Sequence, residues 1–362
     1  MAKIKLIELN NFRNFQHLKL PFEKKTNIFY GNNGSGKTNI LESISLFAKG
    51  RGIRNSNISN LIKSKSDFFN IKGIVDINNN NYNLQISSEK NENRFKKKIK
   101  INNDSTNESI NFLNKSLSLL IFLPEMERLF QSSPSYRRNF IDRLIFSELD
   151  NYNTLINKYK KNVTERTKIL QQNNSDLDWI NVIEAELSKI GLQVYRLREQ
   201  KITQLNNHIK YLNRANDYRF NISFKIEDNF YNSELNNDTY TLTLKSVRNY
   251  DKKFGGTKIG PHKSDIIAKI NDGFDASQLS TGQQKTIVLI MLLAQCDILI
   301  SKKNIKPILL LDEICSHLDS NNRKILLDMI NKFDIQFFLT GTEKTLFSFI
   351  STNTDFYNIT NI

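Results

Sequence analysis

The chain has 362 residues, of which 39% are hydrophobic and 25% are charged. This length predicts two or three domains, and the apolar fraction is large enough for a buried core, which excludes an acidic, disordered chain. Lys and Arg number 52 against 37 Asp and Glu, so the formal net charge is +15. This surplus favours an anionic partner, either nucleic acid or a membrane surface, although A+T-rich codons would also raise the Lys content.

Cysteine content and apolar runs restrict where the protein works. The two cysteines, Cys296 and Cys315, have no spacing typical of metal ligands, so we expect neither a disulfide framework nor a zinc site, as in a reducing compartment. Residues 1–12 contain no long apolar segment. The longest apolar run, at residues 287–294, is far shorter than the roughly 20 residues of a membrane-spanning helix. We therefore expect a cytoplasmic protein without a membrane span.

Hydrophobic spacing divides the chain into strand-rich ends and a helical middle. Alternating or continuous apolar runs predict strands at residues 3–9, 17–20, 26–30, 71–77, 82–87, 94–101, 117–123, 219–226, 239–245, 308–311 and 336–340. Apolar residues at intervals of three and four predict helices at residues 39–49, 281–300 and 319–331, and two or three long helices between 134 and 214. This order predicts an α/β core with a helical insertion.

A glycine-rich segment between the third predicted strand and the first predicted helix matches the pattern G-x4-G-K-[ST]. It consists of Gly31, Asn32, Asn33, Gly34, Ser35, Gly36, Lys37 and Thr38. Glycines let backbone N–H groups close around phosphate oxygens, and the helix that follows directs its N-terminal dipole at the same anion. The pattern therefore predicts a nucleotide site in which Lys37 reaches the β- and γ-phosphates and Thr38 binds Mg²⁺.

Two acidic residues, Asp312 and Glu313, follow the apolar strand predicted at 308–311. A strand that is apolar on both faces is typical of the centre of a parallel sheet. At its carboxyl end, Asp312 is placed to bind Mg²⁺ through water and Glu313 to polarise a water that attacks phosphate. The alternative is a strand end with two solvated carboxylates. The phosphate loop elsewhere in the chain favours the catalytic interpretation.

A third motif, with Ser280, Gly282 and Gln283, opens the helix predicted at 281–300. Ser and Gly at a helix N-terminus either cap the helix or bind an anion. The position of this motif, about thirty residues before the acidic strand, resembles the signature motif of ABC-type ATPases. Asp319 follows the acidic strand and resembles the D-loop of the same class.

In its details the chain resembles the RecF family of SMC-like ATPases. The stretches that carry this resemblance are residues 9–15, 38–42, 47–51, 122–125, 133–142 and 260–265. The resemblance implies an α/β ABC-type ATPase head, a P-loop NTPase with an antiparallel β subdomain and an inserted helical arm. Residues 1–131 and 218–362 would form the ATPase lobe, and residues 132–217 the arm. The segment between Lys37 and Asp312 is too short for the long coiled coil of an SMC protein.

The resemblance also implies partners and an activity. ATP and Mg²⁺ would be held between two copies of the chain, with Ser280, Gly282 and Gln283 of one copy on the γ-phosphate bound by the other. The homodimer would bind gapped duplex DNA, show weak DNA-stimulated ATPase activity and act with RecO and RecR in recombinational repair. Two alternatives stay open: an ATP-binding dimerisation switch with little turnover, and another SMC-like ATPase.

Two departures from expected patterns stand out. Lys263 and Ser264 occupy positions where the RecF family usually has Arg and Asp, and an Arg fork is not equivalent to a Lys point charge. At the end of the strand predicted at 336–340, Thr340, Gly341 and Thr342 stand where transporter ATPases place a histidine that senses the γ-phosphate. That sensor is therefore missing or replaced by a hydroxyl.

Basic residues offer three candidates for DNA contact: Lys97 on the strand predicted at 94–101, and Arg137 and Arg138 at the start of the helical segment. The alternative for Lys97 is an edge strand protected by lysines. The alternative for the two arginines is packing against Asp142 and Glu148. Basic and aromatic residues do not interleave as in a single-strand platform, so we expect salt-sensitive binding to the duplex backbone.

Overall fold

The computed structural model describes residues 2–48, 52–54, 56–91, 94–172, 176–216, 222–270, 273–316, 319–350 and 353–360. Within these residues the strands are β1 (Ala2–Phe12), β2 (Phe15–Pro21), β3 (Thr26–Tyr30), β4 (Asn70–Ile77), β5 (Asn80–Asn91), β6 (Arg94–Ile101), β7 (Leu119–Phe122), β8 (Ile222–Glu227), β9 (Asp265–Ile270), β10 (Phe274–Asp275), β11 (Ile308–Leu311), β12 (Phe337–Gly341) and β13 (Thr354–Asn358). The α-helices are α1 (Lys37–Ser45), α2 (Asn107–Ser116), α3 (Pro134–Phe146), α4 (Tyr152–Leu170), α5 (Leu177–Asn216), α6 (Asn237–Ser246), α7 (Arg248–Phe254), α8 (Thr281–Lys303) and α9 (Ser320–Lys332). Short 3₁₀ helices lie at Ile58–Leu61, Pro124–Gln131, Ala276–Gln278 and Lys344–Phe347.

The chain folds into two compact units, one formed by Met1–Glu127 with Thr281–Ile362 and the other by Arg128–Ser280. The first unit contains a five-stranded parallel sheet with the order β13-β3-β12-β11-β7. Every residue of β11 and β12 is buried, which explains why their sequences are continuously apolar. Because β3, β11 and β12 are parallel, their carboxyl ends meet at one edge of the sheet, where ligands bind in open α/β folds.

The first unit also contains an antiparallel sheet with the order β2-β1-β4-β5-β6. Its side chains alternate between an inner, apolar face and an outer, polar face: Ile7 and Leu9 are buried, whereas Glu8 between them lies opposite Lys19 and Lys72 on the outer face. Alternation of this kind is typical of an antiparallel sheet with one solvated face. The strands predicted at 3–9, 71–77 and 94–101 are confirmed.

Helix α8 is apolar on all sides. By length and composition it could cross a membrane, but 83% of its most apolar window is buried inside the protein. Even its polar residues Gln284 and Gln295 are fully buried. A helix that is hydrophobic all round and covered by protein is a core helix, which accounts for the apolar run at residues 287–294.

The second unit combines helices with a small antiparallel sheet of order β10-β9-β8. Helices α4 and α5 pack against each other, and a buried cluster lies where α4 ends and α5 begins: Ile169, Leu170, Ile180 and Ile183. The guanidinium group of Arg166, also fully buried, pairs with the carboxylates of Glu184 and Asp251. Removing one partner of a buried ion pair leaves the other charge uncompensated, so these contacts hold α4, α5 and α7 together.

The second unit differs from the predicted arm at residues 132–217, since it continues to Ser280. Its extra residues include β8, which packs on α5 and pairs with β9. The strand predicted at 239–245 is wrong, because these residues lie in α6. Asn236 caps this helix by accepting a hydrogen bond from the Thr239 N–H at 2.9 Å. Tyr240 and Leu244, four residues apart, form its buried face, a helical spacing that the alternation of Thr with apolar residues concealed.

Parts of two motifs lie outside the described residues. They are Lys49, Gly50 and Arg51 in the stretch at 47–51, and His317 and Leu318 just before Asp319. The interpretation of these five residues stays a prediction from the sequence.

Candidate functional site

The phosphate loop connects β3 to α1, as the sequence predicts. Gly31, Gly34 and Gly36 have φ angles of +146°, +83° and +107°, a region that favours glycine. A Cβ atom on Gly36 would lie 2.5 Å from Cζ of Phe15. Of the other loop residues, Asn32 and Asn33 are exposed and Ser35 is half-buried. Among the described residues no side chain caps the start of α1, so its first N–H groups are directed at the loop, where an anion is stabilised.

The ammonium group of Lys37 lies within this loop. It donates hydrogen bonds to the carbonyl oxygens of Gly31 at 2.7 Å and Asn32 at 2.8 Å. Burial lowers the pKa of Lys37, and the negative charges of Glu313 and Asp312 oppose that shift. A buried cation held only by neutral carbonyls is well suited to exchange them for phosphate oxygens, because hydrogen bonds to charged acceptors are stronger.

Asp312 lies at the carboxyl end of β11 and contacts the phosphate loop directly. The Thr38 hydroxyl lies 3.0 Å and 2.9 Å from its two carboxylate oxygens. The Thr340 hydroxyl donates to Oδ1 of Asp312 at 2.7 Å. Burial raises the pKa of Asp312, whereas these two hydroxyls stabilise its charged form.

The oxygens of Thr38 and Asp312 are the ligand type that Mg²⁺ prefers. Within the described residues no group of three or more His, Cys, Asp and Glu side chains is placed to hold a metal ion. One carboxylate and one hydroxyl still fit Mg²⁺, because this ion commonly takes one or two protein oxygens and completes its shell with water and phosphate. The residues present therefore suit a cation that binds together with a nucleotide.

Glu313 follows Asp312 in a tight turn. Its φ angle is +47°, which non-glycine residues adopt uncommonly. Its backbone N–H donates to the Thr340 hydroxyl at 2.7 Å, and its charge lies near enough to Lys37 to affect the pKa of that residue. Glu313 thus belongs to the same site as the phosphate loop.

Arg13 makes a structural contact beside this loop. Its guanidinium group donates to both carboxylate oxygens of Glu42 at 2.8 Å, and Glu42 is fully buried in α1. This bidentate pair fixes α1 against the turn between β1 and β2. Arg13 therefore has a structural role, in an ion pair with a buried carboxylate.

The signature residues lie at the start of α8. Ser280 and Gln283 are exposed and Gly282 is half-buried. Two residues further on, buried Lys285 donates to Oε1 of Glu127 at 2.6 Å and to the Ser316 carbonyl at 3.0 Å. Lys285 thus ties the start of α8 to the segment after Glu313, a role that no sequence motif indicates.

Asp319 caps α9 by accepting a hydrogen bond from the Asn322 N–H at 2.8 Å. The Asn322 side chain in turn donates to the Gly282 carbonyl at 3.4 Å. A single residue thus connects the D-loop aspartate with the signature segment. The two motifs that the resemblance assigns to a dimer contact are joined within the first unit.

All three residues proposed from the sequence for DNA contact are half-buried and make contacts within the protein. Lys97 points to the inner face of its sheet and donates to the carbonyl of Leu46, at the end of α1, at 2.9 Å, and burial lowers the pKa of Lys97 to about 8. Arg137 forms a bidentate pair with Asp265 at 2.7 and 2.6 Å. Arg138 donates to the carbonyl of Ser264. All three charges therefore take part in internal contacts, and their role in DNA contact stays a prediction from the sequence.

The acidic residues expected as alternative partners of the two arginines, Asp142 and Glu148, pair with other basic residues, although the charge of Asp142 also acts on Arg138. Asp142 pairs with Arg198 at 2.8 Å, and Glu148 pairs with Lys201. Arg137 instead reaches the motif at 260–265, through Asp265. The pair of Arg137 and Asp265 therefore holds helix α3 to β9. Ser264 stands where the family usually has Asp, and the fold accommodates this difference because Arg138 donates to the backbone carbonyl of Ser264.

The outer face of the antiparallel sheet carries further basic residues, of which Lys19 and Lys72 are exposed and Lys100 is half-buried. Lys19, Glu8, Lys72, Gln85 and Lys100 lie side by side on β2, β1, β4, β5 and β6. We call Lys19, Lys72 and Lys100 the lysine row. A groove of about 520 Å³ crosses this face. Three cations and one carboxylate in a row across adjacent strands give the face a positive charge that suits a phosphate backbone.

The fold and site define the class of protein: an SMC-type ABC ATPase head. The family model described as RecF/RecN/SMC N terminal domain matches residues 3–128 and 140–361. Among solved structures, the crystal structure of an Smc head bound to the C-winged helix domain of ScpA superposes with a TM-score of 0.54 at 17% identity, covering 96% of this chain and 91% of that one. At that identity the likeness shows the fold alone.

Curated relatives narrow the class. The chain is 34% identical over 345 residues to the DNA replication and repair protein RecF of Rickettsia typhi, and 33% identical over 346 residues to that of Rickettsia prowazekii, with 93% of each chain covered in both comparisons. It also resembles a solved structure of the recombination mediator protein RecF-ATPrS in the RecFOR pathway, with a TM-score of 0.83, 27% identity, and coverage of 99% of this chain and 96% of that one. The chain belongs to the RecF family of DNA replication and repair proteins.

Proposed function

We propose that this chain is an ATP-dependent DNA-binding protein of recombinational gap repair and replication. It would bind gapped duplex DNA as a homodimer bridged by ATP, hydrolyse that ATP slowly, and act in the cytoplasm with RecO and RecR. The contact between Thr38 and Asp312 carries this proposal, because it joins the phosphate loop and the acidic strand end in one site. Similar solved structures, described as RecF-ATP and RecF-ATPrS in the RecFOR pathway, support the nucleotide and the partners.

The phosphate loop supplies the nucleotide-binding step. Lys37 would leave the carbonyls of Gly31 and Asn32 for oxygens of the bound triphosphate. Thr38 and Asp312 would hold Mg²⁺, which neutralises charge on the β- and γ-phosphates. Glu313 would accept a hydrogen bond from the attacking water and orient it toward the γ-phosphate.

The exposure of the signature residues supports the proposal of a homodimer. Ser280 and Gln283 face solvent at the N-terminus of α8, where backbone N–H groups and the helix dipole favour an anion. A γ-phosphate bound by a second copy would provide that anion. Asn322 and Lys285 hold this segment to the D-loop and to the end of the acidic strand, so nucleotide binding and the dimer surface would be coupled.

The lysine row is the surface that we propose for the DNA backbone. Adjacent strands are about 5 Å apart, so the row from Lys19 to Lys100 spans roughly 20 Å of sheet. Binding of this kind is independent of sequence and weakens steeply with salt, because each neutralised phosphate releases counterions. The row replaces Lys97, Arg137 and Arg138, which are occupied by internal contacts.

The experiment that tests the proposal uses Glu313→Gln, which keeps nucleotide but slows hydrolysis. Its mass in solution is measured with ATP and Mg²⁺, with and without gapped duplex, and Lys37→Ala serves as the control. We expect a shift from monomer to dimer that needs ATP, is absent in Lys37→Ala and is accompanied by DNA binding. A Glu313→Gln protein that stays monomeric with ATP and gapped DNA would contradict the ATP-bridged dimer.

A further inference from the structure

The hydroxyl of Thr340 joins two residues of the acidic motif. Thr340 lies on β12, beside β11, and is fully buried. Its hydroxyl donates to Oδ1 of Asp312 at 2.7 Å and accepts a hydrogen bond from the Glu313 N–H, also at 2.7 Å. Nothing in the sequence motifs singles out this residue, except that it stands close to the position where transporter ATPases carry a histidine.

In this conformation these two bonds occupy the hydroxyl of Thr340, which argues against a role as a sensor of the γ-phosphate. A hydroxyl has a single proton to donate, and that of Thr340 goes to Asp312. A phosphate oxygen needs a donor, so the group has none left to offer. The hydroxyl of Thr340 instead binds two groups of the protein, the Asp312 carboxylate and the Glu313 N–H.

The bond to the Glu313 N–H acts at a strained point of the backbone. Glu313 has a φ angle of +47°, in a region that side chains with a Cβ disfavour. The Thr340 hydroxyl holds the N–H of that residue, and β12 is fixed by its pairing with β11 and β3. Because this hydroxyl holds the backbone of Glu313, the position of the Glu313 carboxylate depends on Thr340.

The bond to Asp312 acts on the cation side. Thr38 and Thr340 both contact Asp312. If Thr38 turns to a bound cation, Thr340 is the donor that remains on the carboxylate and keeps its orientation. Partners of this kind orient a metal-binding carboxylate, and their loss typically reduces metal affinity or activity about 10–100-fold.

We propose that Thr340 is a positioning residue for ATP hydrolysis. Its one hydroxyl fixes the positions of Asp312 and Glu313 relative to each other. This inference rests on the proposed function, since it presumes that the chain hydrolyses ATP. It predicts that the hydroxyl contributes to kcat and contributes little to the affinity for ATP, because Lys37 and the loop glycines hold the phosphates.

The test compares Thr340→Ser with Thr340→Ala, which differ only in the hydroxyl. We expect Thr340→Ala to lower kcat about 10–100-fold at an unchanged Kd for a fluorescent ATP analogue, and Thr340→Ser to recover most of the rate. Thr26→Val is the matched control. Thr26 is also fully buried in this sheet, on β3, but within the described residues its hydroxyl has no hydrogen-bond partner, so its loss should leave kcat unchanged.

Three outcomes would overturn the inference. Equal kcat values for Thr340→Ser and Thr340→Ala would mean that the hydroxyl has no role in the reaction. A loss of nucleotide affinity as large as the loss of kcat in Thr340→Ala would mean that the residue only maintains the site. A wild-type protein that binds the analogue but turns over no ATP, with or without gapped DNA, would remove hydrolysis from the proposed function and this inference with it.

Discussion

The hydroxyl of Thr38 lies 2.9 Å from a carboxylate oxygen of Asp312, although 274 positions separate the two residues in the chain. The contact exists because β3 and β11 are parallel strands of one sheet, so the segments that follow them meet at the same edge. The whole second unit lies between these two residues in the chain. Changes at this edge should therefore affect nucleotide binding more than changes elsewhere in the first unit.

Gly36 offers a specific test of the phosphate loop. We expect Gly36→Ala to be less stable than Gly34→Ala by about 1–3 kcal/mol, the usual cost of overpacking, and to bind ATP more weakly. Both glycines have positive φ angles, so the backbone penalty is similar. Only the Cβ at Gly36 would meet neighbours, Asn14 and Phe15, at 2.5 Å. A Cβ on Gly34 would have no atom of the described chain within 4 Å apart from those of its two chain neighbours.

Urea unfolding and titration with a fluorescent ATP analogue measure the two effects. Equal stability of the two variants would contradict the packing argument. Normal ATP affinity in Gly36→Ala would show that the loop tolerates a wider path around the phosphates than this conformation permits.

The lysine row predicts how DNA affinity depends on salt. Replacing Lys19, Lys72 and Lys100 by Gln should weaken binding to gapped duplex and reduce the slope of log affinity against log salt by about 1 for each lysine that contacts a phosphate. The measurement is fluorescence anisotropy at several salt concentrations in the presence of ATP.

The control for this experiment removes the same charge from other places. Lys24, Lys302 and Lys303 are exposed in the first unit but lie off the outer face of the antiparallel sheet. Their triple replacement by Gln changes the net charge equally, so it should leave the slope near that of the wild type. If both triple variants lose the same affinity, DNA responds to overall charge and the lysine row is not its binding surface.

The sequence alone pointed to those candidate site residues that belong to a fixed local pattern. The phosphate loop and the acidic strand end are such patterns, because a glycine turn or an apolar strand leaves a signal in neighbouring residues. Thr340 and Lys285 carry no such signal. Their partners, Asp312 and Glu127, are distant in sequence, so their roles depend on the tertiary fold.

The sequence also could not predict which face of a strand a side chain occupies. Lys97 lies among four lysines in a strand whose register decides which of them face inward, and the pairing of Ser88 with Lys97 places it with Ile99 and Ile101 on the inner face. A shift of one residue would have exposed it. Hydrophobic alternation was also ambiguous in α6, where Thr residues fit a strand and a helix equally well.

His262 predicts a loss of stability at mildly acidic pH. Its Nδ1 accepts a hydrogen bond from the Tyr159 hydroxyl at 2.7 Å and its Nε2–H donates to the Thr257 carbonyl at 2.8 Å, so the folded state holds the neutral ring. Burial lowers the pKa of His262 from 6.5 to about 4. Between these values the unfolded chain binds the proton and the folded chain does not, so stability is full above pH 6.5 and falls as the pH decreases toward 4.

The loss attributable to this one ring is up to about 3 kcal/mol, since each pKa unit corresponds to about 1.4 kcal/mol. Urea unfolding at pH 5.0 and 7.5 measures it, and His262→Gln, which keeps a hydrogen-bonding side chain but does not titrate, provides the comparison. A difference between the two pH values as large in His262→Gln as in the wild type would assign the effect to other groups.

Lys285 predicts a link between the core of the first unit and dimer formation. Its side chain is 3% exposed and pairs with Glu127 at 2.6 Å. Lys285→Met should destabilise the protein by about 3 kcal/mol, at the lower end of the range for breaking a buried ion pair because Glu127 is partly solvated. It should also weaken the ATP-dependent dimer of Glu313→Gln, since the Ser316 carbonyl loses the donor that ties it to the start of α8.

Two variants separate these effects of Lys285. Lys302→Met, at the exposed end of the same helix, should leave both stability and dimer formation unchanged. The double variant Lys285→Met with Glu127→Gln removes the unpaired carboxylate, so it should recover much of the stability without restoring the dimer, because the bond to the Ser316 carbonyl is still absent. Recovery of both would mean that Lys285 acts on the dimer only through the stability of the fold, whereas recovery of stability alone would place the coupling in the contact between α8 and the segment that follows Glu313.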